Sequence, residues 1–386
     1  MKLGVFTVLF SDKSFEEMLD HVKEAGLEAV EIGTGGYPGN AHCPLDELLE
    51  SEQKRQAYRK AVEERGLVIS ALSCHGNPLS PDKSFAQQSH ETFVKTVQLA
   101  ELLEVPVVNC FSGTAGDHEG AKYPNWPVAP WPNEYRDVLN WQWNEKLIPY
   151  WREWGGYAKS HQVKVALELH GGFLVHTPGT LLKLREQVGD AIGANFDPSH
   201  MWWQGIDPVA AIKILGKEQA IYHFHAKDTY IDQDKVNMYG LTDMNSYANL
   251  NERAWYFRTV GYGHSQQTWA DMMSALRMNG YDYVISIEHE DAIMSIEEGF
   301  ERARAKFAAS HFARADQKSL VGVGGRCSEY AHTQNRDHRG RRDRSGSSGG
   351  SQEGAACRDR RHCRCVAGNG SGKSRAVRDC ARLYRL

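Results

Sequence analysis

The stretch Asn195-Phe196-Asp197-Pro198-Ser199-His200 decides how the rest of the chain is read. It follows the apolar run Ala191-Ile192-Gly193-Ala194 and turns at a proline, the pattern of a buried parallel strand reaching its carboxyl end. Asp197 and His200 place an oxygen and a nitrogen donor three residues apart at that strand mouth. Three other apolar runs end alike: Leu167-Glu168-Leu169-His170, Tyr222-His223-Phe224-His225 and Ile287-Glu288-His289-Glu290. Each stops on carboxylate or imidazole. Such ends meet in one cavity only if the strand tops face it together. That is the arrangement of a (β/α)8 barrel, in which reactive groups come from the ends of several strands.

Outward from this stretch, strand and helix signals alternate. Lys2–Phe10, Leu27–Ile32, Leu67–Ser73, Val105–Phe111 and Val163–Leu169 read as strands before it, and 220–225 and 282–288 after it. Ser14-Phe15-Glu16-Glu17 opens the first helix in capping-box form. Further helices are expected at 45–65, 84–103, 138–160, 178–187, 207–215, 267–279 and 295–309. This α/β alternation predicts a TIM barrel over residues 1–310. Two connections exceed a plain linker. Residues 112–137 carry Tyr123, Trp126, Trp131 and Tyr135, and residues 226–266 carry Tyr230, Tyr239, Tyr247, Trp255, Tyr256 and Arg258. Both follow strands and so leave the catalytic face. They are expected as walls or lids of a substrate cavity, or as packing surfaces between subunits.

Bulk composition excludes several classes. The 386 residues carry 41% hydrophobic and 24% charged side chains, the balance of a globular protein. The net charge of -4 hides an asymmetry: residues 317–386 hold 16 Lys and Arg against 6 Asp and Glu, leaving 29 against 43 before them. An acidic body does not seek nucleic acid by bulk charge. Cys43, Cys74 and Cys110 lie in the body without disulfide spacing, as expected of a reducing compartment. No run approaches the ~20 apolar residues of a membrane span, and Val5–Phe10 is too short for a secretory signal, so a cytoplasmic location is expected. Residues 311–386 form a basic, low-complexity tail expected to be disordered, or to be out-of-frame translation. Within it Ala367–Ser374 only weakly matches a phosphate loop, and His362, Cys363 and Cys365 lack the second pair of a zinc knuckle.

Glu168, Asp197, His225 and Glu288 form the strongest constellation. Three carboxylates and one imidazole suit one divalent ion, Mn²⁺ first and then Mg²⁺ or Co²⁺. The ordered motifs resemble those of the xylose-isomerase-like barrels, the sugar phosphate isomerase/epimerase family. They are the Glu168 strand end, Asp197-Pro198-Ser199-His200, His225-Ala226-Lys227-Asp228, Gly261-Tyr262-Gly263, and Gly280-Tyr281 leading to Glu288.

By that resemblance Glu168, Asp197, His225 and Glu288 hold the metal, and Glu168 and Glu288 double as the acid/base pair. His200 touches a substrate oxygen, and the reaction is isomerisation or epimerisation of a sugar through a metal-stabilised enediolate. The alternative is a lyase or dehydratase of the same family, eliminating from a keto-sugar, a 3-keto-glycoside or a keto-inositol. A sugar-binding barrel without turnover would not need a carboxylate on each face.

Two departures narrow the resemblance. Ile231 stands where ketohexose epimerases carry arginine, and Asn109-Cys110 lacks the histidine of a trinuclear zinc nuclease. His75, Lys227 and Arg258 are further expected substrate contacts, with Lys227 alternatively pairing with Asp228. Glu31 is expected to orient a neighbour, His170 and Glu290 to support the ligands, and His223 to point away from His225 into the core. The expected partner is a small sugar or sugar derivative, without nucleic acid or membrane; a homo-oligomer is left open.

Overall fold

A computed structural model describes residues 1–308. The tail and its two weak motifs, the last residues assigned to the barrel, and the end of the final helix lie outside the described residues. Ten strands are present among these residues: β1 Lys2–Phe6, β2 Ala29–Gly33, β3 Val68–Ser73, β4 Val107–Cys110, β5 Lys164–Glu168, β6 Ile192–Phe196, β7 Ile221–Ala226, β8 Asp228–Ile231, β9 Trp255–Arg258 and β10 Val284–Ile287. Eight of them close into a parallel barrel in the order β1-β10-β7-β6-β5-β4-β3-β2. Closure is sealed by β1 against β10, with Val5 opposite Ile287, and by β1 against β2, with Phe6 opposite Glu31. A closed barrel has no free strand edge, so its strands are buried on both faces and read as short apolar runs.

The helices that return the chain are α1 Phe15–Glu24, α2 Leu45–Glu50, α3 Glu52–Glu63, α4 Lys83–Leu102, α5 Asn133–Trp141, α6 Ile148–Ser160, α7 Pro178–Val188, α8 Pro198–Trp203, α9 Pro208–Lys217, α10 Gln233–Tyr239, α11 Gln266–Met278 and α12 Ile296–Ala308. Their starts are encoded locally. Ser14 Oγ accepts from Glu17 N–H at 3.3 Å, and Glu17 Oε2 accepts from Ser14 N–H at 2.9 Å. Such a reciprocal cap is typically worth about 1 kcal/mol. Asp207 caps α9 through its side chain alone, accepting from Val209 and Ala210 N–H, just before Pro208, whose missing N–H costs nothing at a helix start.

Four expectations shift. The single helix over 45–65 is two, because Ser51 is extended (φ -123°, ψ 111°) and caps α3 afresh. The first strand ends at Phe6, and Thr7–Phe10 turns into a 3-10 helix. The helix assigned to 138–160 starts at Asn133 and passes through a wide π-type turn at Gln142–Leu147 before α6. The connection 226–266 is not a loop throughout. β8 and β9 pair antiparallel, Thr229 opposite Phe257, with α10 between them. Pairing partners far apart along the chain leave no local period to read.

Candidate active site

Each strand end contributes one side chain for a local reason. Glu168 closes β5 and Asp197 directly follows β6. Asp197 is the cap of α8: its Oδ1 accepts from Ser199 N–H at 2.8 Å, which leaves Oδ2 facing His200 and Lys227. The proline reads as a stop in the sequence; here it is the first residue of a short helix. That helix carries His200 back over β5, where Nε2 donates to Glu168 Oε1 at 3.0 Å and lies 3.3 Å from Asp197 Oδ2. Trp203 Nε1–H donates to His200 Nδ1 at 3.4 Å, which leaves Nε2 as the protonated nitrogen.

From the next two strands around the mouth come His225 on β7 and Glu288 just after β10. His225 Nδ1 lies 2.9 Å from Glu288 Oε2 and 3.4 Å from Glu168 Oε2. Two triads with metal-ligand spacing result, Glu168–Asp197–His200 and Asp197–His225–Glu288, joined at Asp197. Asp197 Oδ2 and Glu288 Oε2 are buried, and although cations lie beside them neither makes an aligned hydrogen bond. Burial pushes the Asp197 carboxyl up despite the ammonium of Lys227 and the ring of His200 nearby. At Glu288 burial pulls the same way, but Lys227 and His225 win and hold it down at about 2. Burial is likewise outweighed at Glu168, where the hydrogen bond from His200 and the nearby rings of His225 and His75 hold the carboxyl well below the usual carboxylate range.

Lys227 is buried among carboxylates. Its Nζ donates to Glu290 Oε2 at 2.7 Å and lies 2.9 Å from Glu288 Oε2 and 3.2 Å from Asp197 Oδ2. Burial opposes its charge, yet Glu288, Glu290 and Asp197 raise its pKa well above the ordinary lysine value. The alternative pairing with Asp228 does not occur, since adjacent residues of an extended chain point to opposite faces. Asp228 faces away and gathers six bonds. Oδ2 accepts from the backbone N–H of Gly261, Gly263 and His264 and from Trp269 Nε1, and Oδ1 accepts from Thr229 N–H and His264 Nδ1. That clamp fixes the end of the ribbon, whose Phe257 ring stands 4.6 Å from Lys227 Nζ and 5.3 Å from the His200 ring.

The remaining expected residues divide. His75 Nε2 lies 3.0 Å from Glu168 Oε2, but neither ring nitrogen has an aligned hydrogen bond, although the residue is buried. His170 packs its ring 4.0 Å from that of His200. Arg258 is not brought into the cluster; its Nε donates to Asp291 Oδ2 at 2.9 Å. His223 does not point away from His225. Residues two apart on a strand share a face, so both rings stand inside the barrel, centroids 5.8 Å apart. His223 bonds Asn195 Oδ1 and Ser70 Oγ, each at 3.2 Å, and burial lowers its pKa to about 4. Glu31, read only as an orienter, lies under His225, both of its oxygens 2.9 Å from Nε2.

Asn195 Nδ2 bridges the Glu168 carboxylate, at 3.3 Å, and the His225 ring, at 3.1 Å from Nε2 and 3.3 Å from Nδ1; an asparagine inside an apolar run carries no distinctive spacing in the sequence. Above these groups opens a cavity of about 160 Å³. Its lining combines the apolar side chains of Phe6, Val8, Pro38 and Phe111 with the charged groups of Glu168, Lys227, Glu288 and Glu290. Tyr37 stands at this cavity, 64% exposed, placed by a turn that needs Gly36 at φ +70°, where a Cβ would strike the carbonyl of His75.

The sequence profile of the xylose isomerase-like TIM barrel matches residues 19–309. The chain is 39% identical over 303 residues to the uncharacterized protein YfiH of Bacillus subtilis, covering 78% of this chain and 96% of YfiH. Among solved structures it is similar to the probable 3-DHS dehydratase AsbF of Bacillus anthracis, at a TM-score of 0.56 and 18% identity over 80% of this chain and 99% of the other. It is also similar to a D-tagatose 3-epimerase-like protein, at a TM-score of 0.53 and 19% identity over 80% and 98%. At such identities these two likenesses speak for the fold alone.

Proposed function

Because the chain belongs to the xylose isomerase-like TIM barrel family, we propose that it is a divalent-metal-dependent sugar isomerase or epimerase that moves a proton at a carbon next to a carbonyl. The observation that carries this reading is the meeting of Glu168, Asp197, His225 and Glu288 in two overlapping triads that share Asp197, the first completed by His200, with Asp197 Oδ2 and Glu288 Oε2 buried and lacking aligned donors. Buried carboxylate oxygens without donors cost free energy unless a ligand completes them. Three carboxylates and one imidazole are the donor set of a hard-to-borderline ion such as Mn²⁺, Mg²⁺ or Co²⁺. Bound there, the ion would supply Lewis-acid stabilisation of the negative charge that develops on a substrate oxygen.

The chain's own residues do the rest. Glu168 and Glu288 stand on β5 and just after β10, with β6 and β7 between them in the barrel. Two carboxylates on separate sides of the cavity can take a proton from one face and return one to the other. With its pKa at about 2, Glu288 is ionised at neutral pH and so can accept a proton. His75, buried with both nitrogens free of aligned bonds, is suited to hold a substrate oxygen, and His200 could do so only by turning its Nε2–H from Glu168 to the substrate.

The substrate is a neutral sugar. Among the described residues lining the cavity, Lys227 is the only lysine or arginine, and three carboxylates already surround it. A phosphate ester would meet the acid groups of Glu168, Glu288 and Glu290 with no uncommitted cation. The apolar lining residues Phe6, Val8, Pro38 and Phe111 also favour a second reading, elimination of an apolar substituent after the same proton abstraction.

The test is Glu288→Gln with saturating Mn²⁺, read as deuterium uptake from D₂O into ketohexoses, inososes and 3-keto-glycosides. The variant keeps the shape and an oxygen donor but cannot take a proton. Turnover should fall by about 10²–10⁴-fold, roughly 3–5 kcal/mol, with substrate affinity within a few-fold. Near-wild-type turnover would sink the two-carboxylate reading, and release of an aglycone or water would select the elimination.

A further inference from the structure

Beneath the metal-type cluster lies a second group of ligand-type side chains, Glu31, His223 and His225, all fully buried. Its hydrogen bonding differs from that of the upper group. Glu31 Oε1 accepts from Ser73 Oγ at 2.6 Å and from Asn109 Nδ2 at 2.9 Å, while Oε2 accepts from Ser286 Oγ at 2.7 Å. Those donors come from β3, β4 and β10, three separate strands of the barrel. Both oxygens face His225 Nε2 at 2.9 Å. His223 is equally engaged, with Asn195, Asn109 and Ser70 on its two nitrogens. A ligand set in which every donor atom already has a partner is a finished network; the upper set, with its orphaned carboxylate oxygens, is not.

We infer that Glu31 is a positioning residue for His225. Its carboxylate, immobilised by Ser73, Asn109 and Ser286, keeps the proton of His225 on Nε2, so that Nδ1 is the nitrogen presented to Glu288, Glu168 and a divalent ion. When an ion takes Nδ1 the ring keeps one N–H and one lone pair, and the hydrogen bond made by one nitrogen decides what the other offers. A carboxylate that already accepts from two hydroxyls and an amide has no proton to give, so the nitrogen facing it must be the donor. Phe6 stacks on the His225 ring, centroids 5.6 Å apart and planes at 29°, which restrains the ring about its axis. The 194 residues between Glu31 and His225 are bridged only because β2 and β7 face each other across the barrel interior.

This role rests on the reading of His225 as a metal ligand, and two measurements on the full chain separate the two. The first uses the metal-free protein: ¹⁵N–¹H correlation of the His225 ring should show the proton on Nε2 in the wild type and its loss or exchange broadening in Glu31→Gln. A wild-type His225 without a proton on Nε2 overturns the proposal whatever the metal does.

The second titrates Co²⁺ alone and follows its visible d–d bands. Removing such an outer partner typically costs about 10–100-fold in metal affinity. Glu31→Gln should therefore bind Co²⁺ about 10–100-fold more weakly and with altered bands, since a merely structural loss would lower stability without changing the ligand field. Unchanged affinity and bands in Glu31→Gln would overturn the proposal. A wild type that binds no Co²⁺ would remove the proposed metal function and leave the tautomer to the first measurement. Should Glu31→Gln not fold, the double variant Ser73→Ala/Ser286→Ala, which keeps the carboxylate and frees it to move, should show a smaller loss in the same direction. No change there overturns the proposal as well.

Discussion

Asp228→Asn isolates the clamp that holds the end of the β8–β9 ribbon. The native carboxylate accepts six hydrogen bonds at 2.8–3.2 Å, four on Oδ2 and two on Oδ1, in a fully buried position. An asparagine has one acceptor oxygen and one donor nitrogen in the same space. Its better orientation keeps the oxygen where Gly261, Gly263, His264 and Trp269 donate and turns the amide nitrogen toward Thr229 N–H and His264 Nδ1. His264 can shift its tautomer and accept, but Thr229 N–H then faces another donor. A buried donor left without a partner costs about 1–3 kcal/mol, and bonds to charged groups are worth about 1.5–3 kcal/mol against about 1 for neutral ones.

The four bonds converge on one oxygen and do not add fully, so the variant should lose roughly 3–5 kcal/mol in all. At about 2–4 °C per kcal/mol for domains somewhat smaller than this barrel, the melting temperature should fall by about 6–20 °C. Calorimetry on the wild type and the variant at one pH and ionic strength measures it, and amide exchange should lose protection at Gly261, Gly263 and His264 first. A loss below about 1 kcal/mol, or unchanged protection at those three amides, would refute the reasoning.

Two further outcomes bear on the cavity. Mn²⁺ at a hundred times its dissociation constant should stabilise the chelator-stripped protein by about 2.7 kcal/mol, because the ion binds the folded state alone. Asp197→Ala should abolish that shift, and a wild type whose melting is indifferent to Mn²⁺ would remove the centre. For whichever keto-sugar exchanges its proton, the phosphorylated counterpart should be used at least roughly tenfold less efficiently, equivalent to about 1.4 kcal/mol of repulsion. Equal kcat/KM for the two would contradict the neutral-substrate reading.

The sequence by itself determined the barrel and the acidic and imidazole groups at its strand ends, and the reason is physical. Strands buried on both faces are short continuous apolar runs, and a carboxylate or imidazole ending such a run is conspicuous because burying it unpartnered is costly. Helix starts at Ser14, Asp207 and Thr177 are local chemistry, settled within a few residues. Period-two geometry was also present in the sequence, and it is what places His223 on the same face as His225.

Only the tertiary structure decided the partners. Lys227 has Asp228 beside it in sequence, yet bonds Glu290, 63 residues on, because neighbours in an extended segment face opposite ways. The ribbon of β8 and β9 exists through pairing across a long insertion, which no local pattern announces. Glu31 acquires His225, Ser73, Asn109 and Ser286 solely because closing a barrel brings the interior faces of β2, β3, β4, β7 and β10 within hydrogen-bond reach of one another.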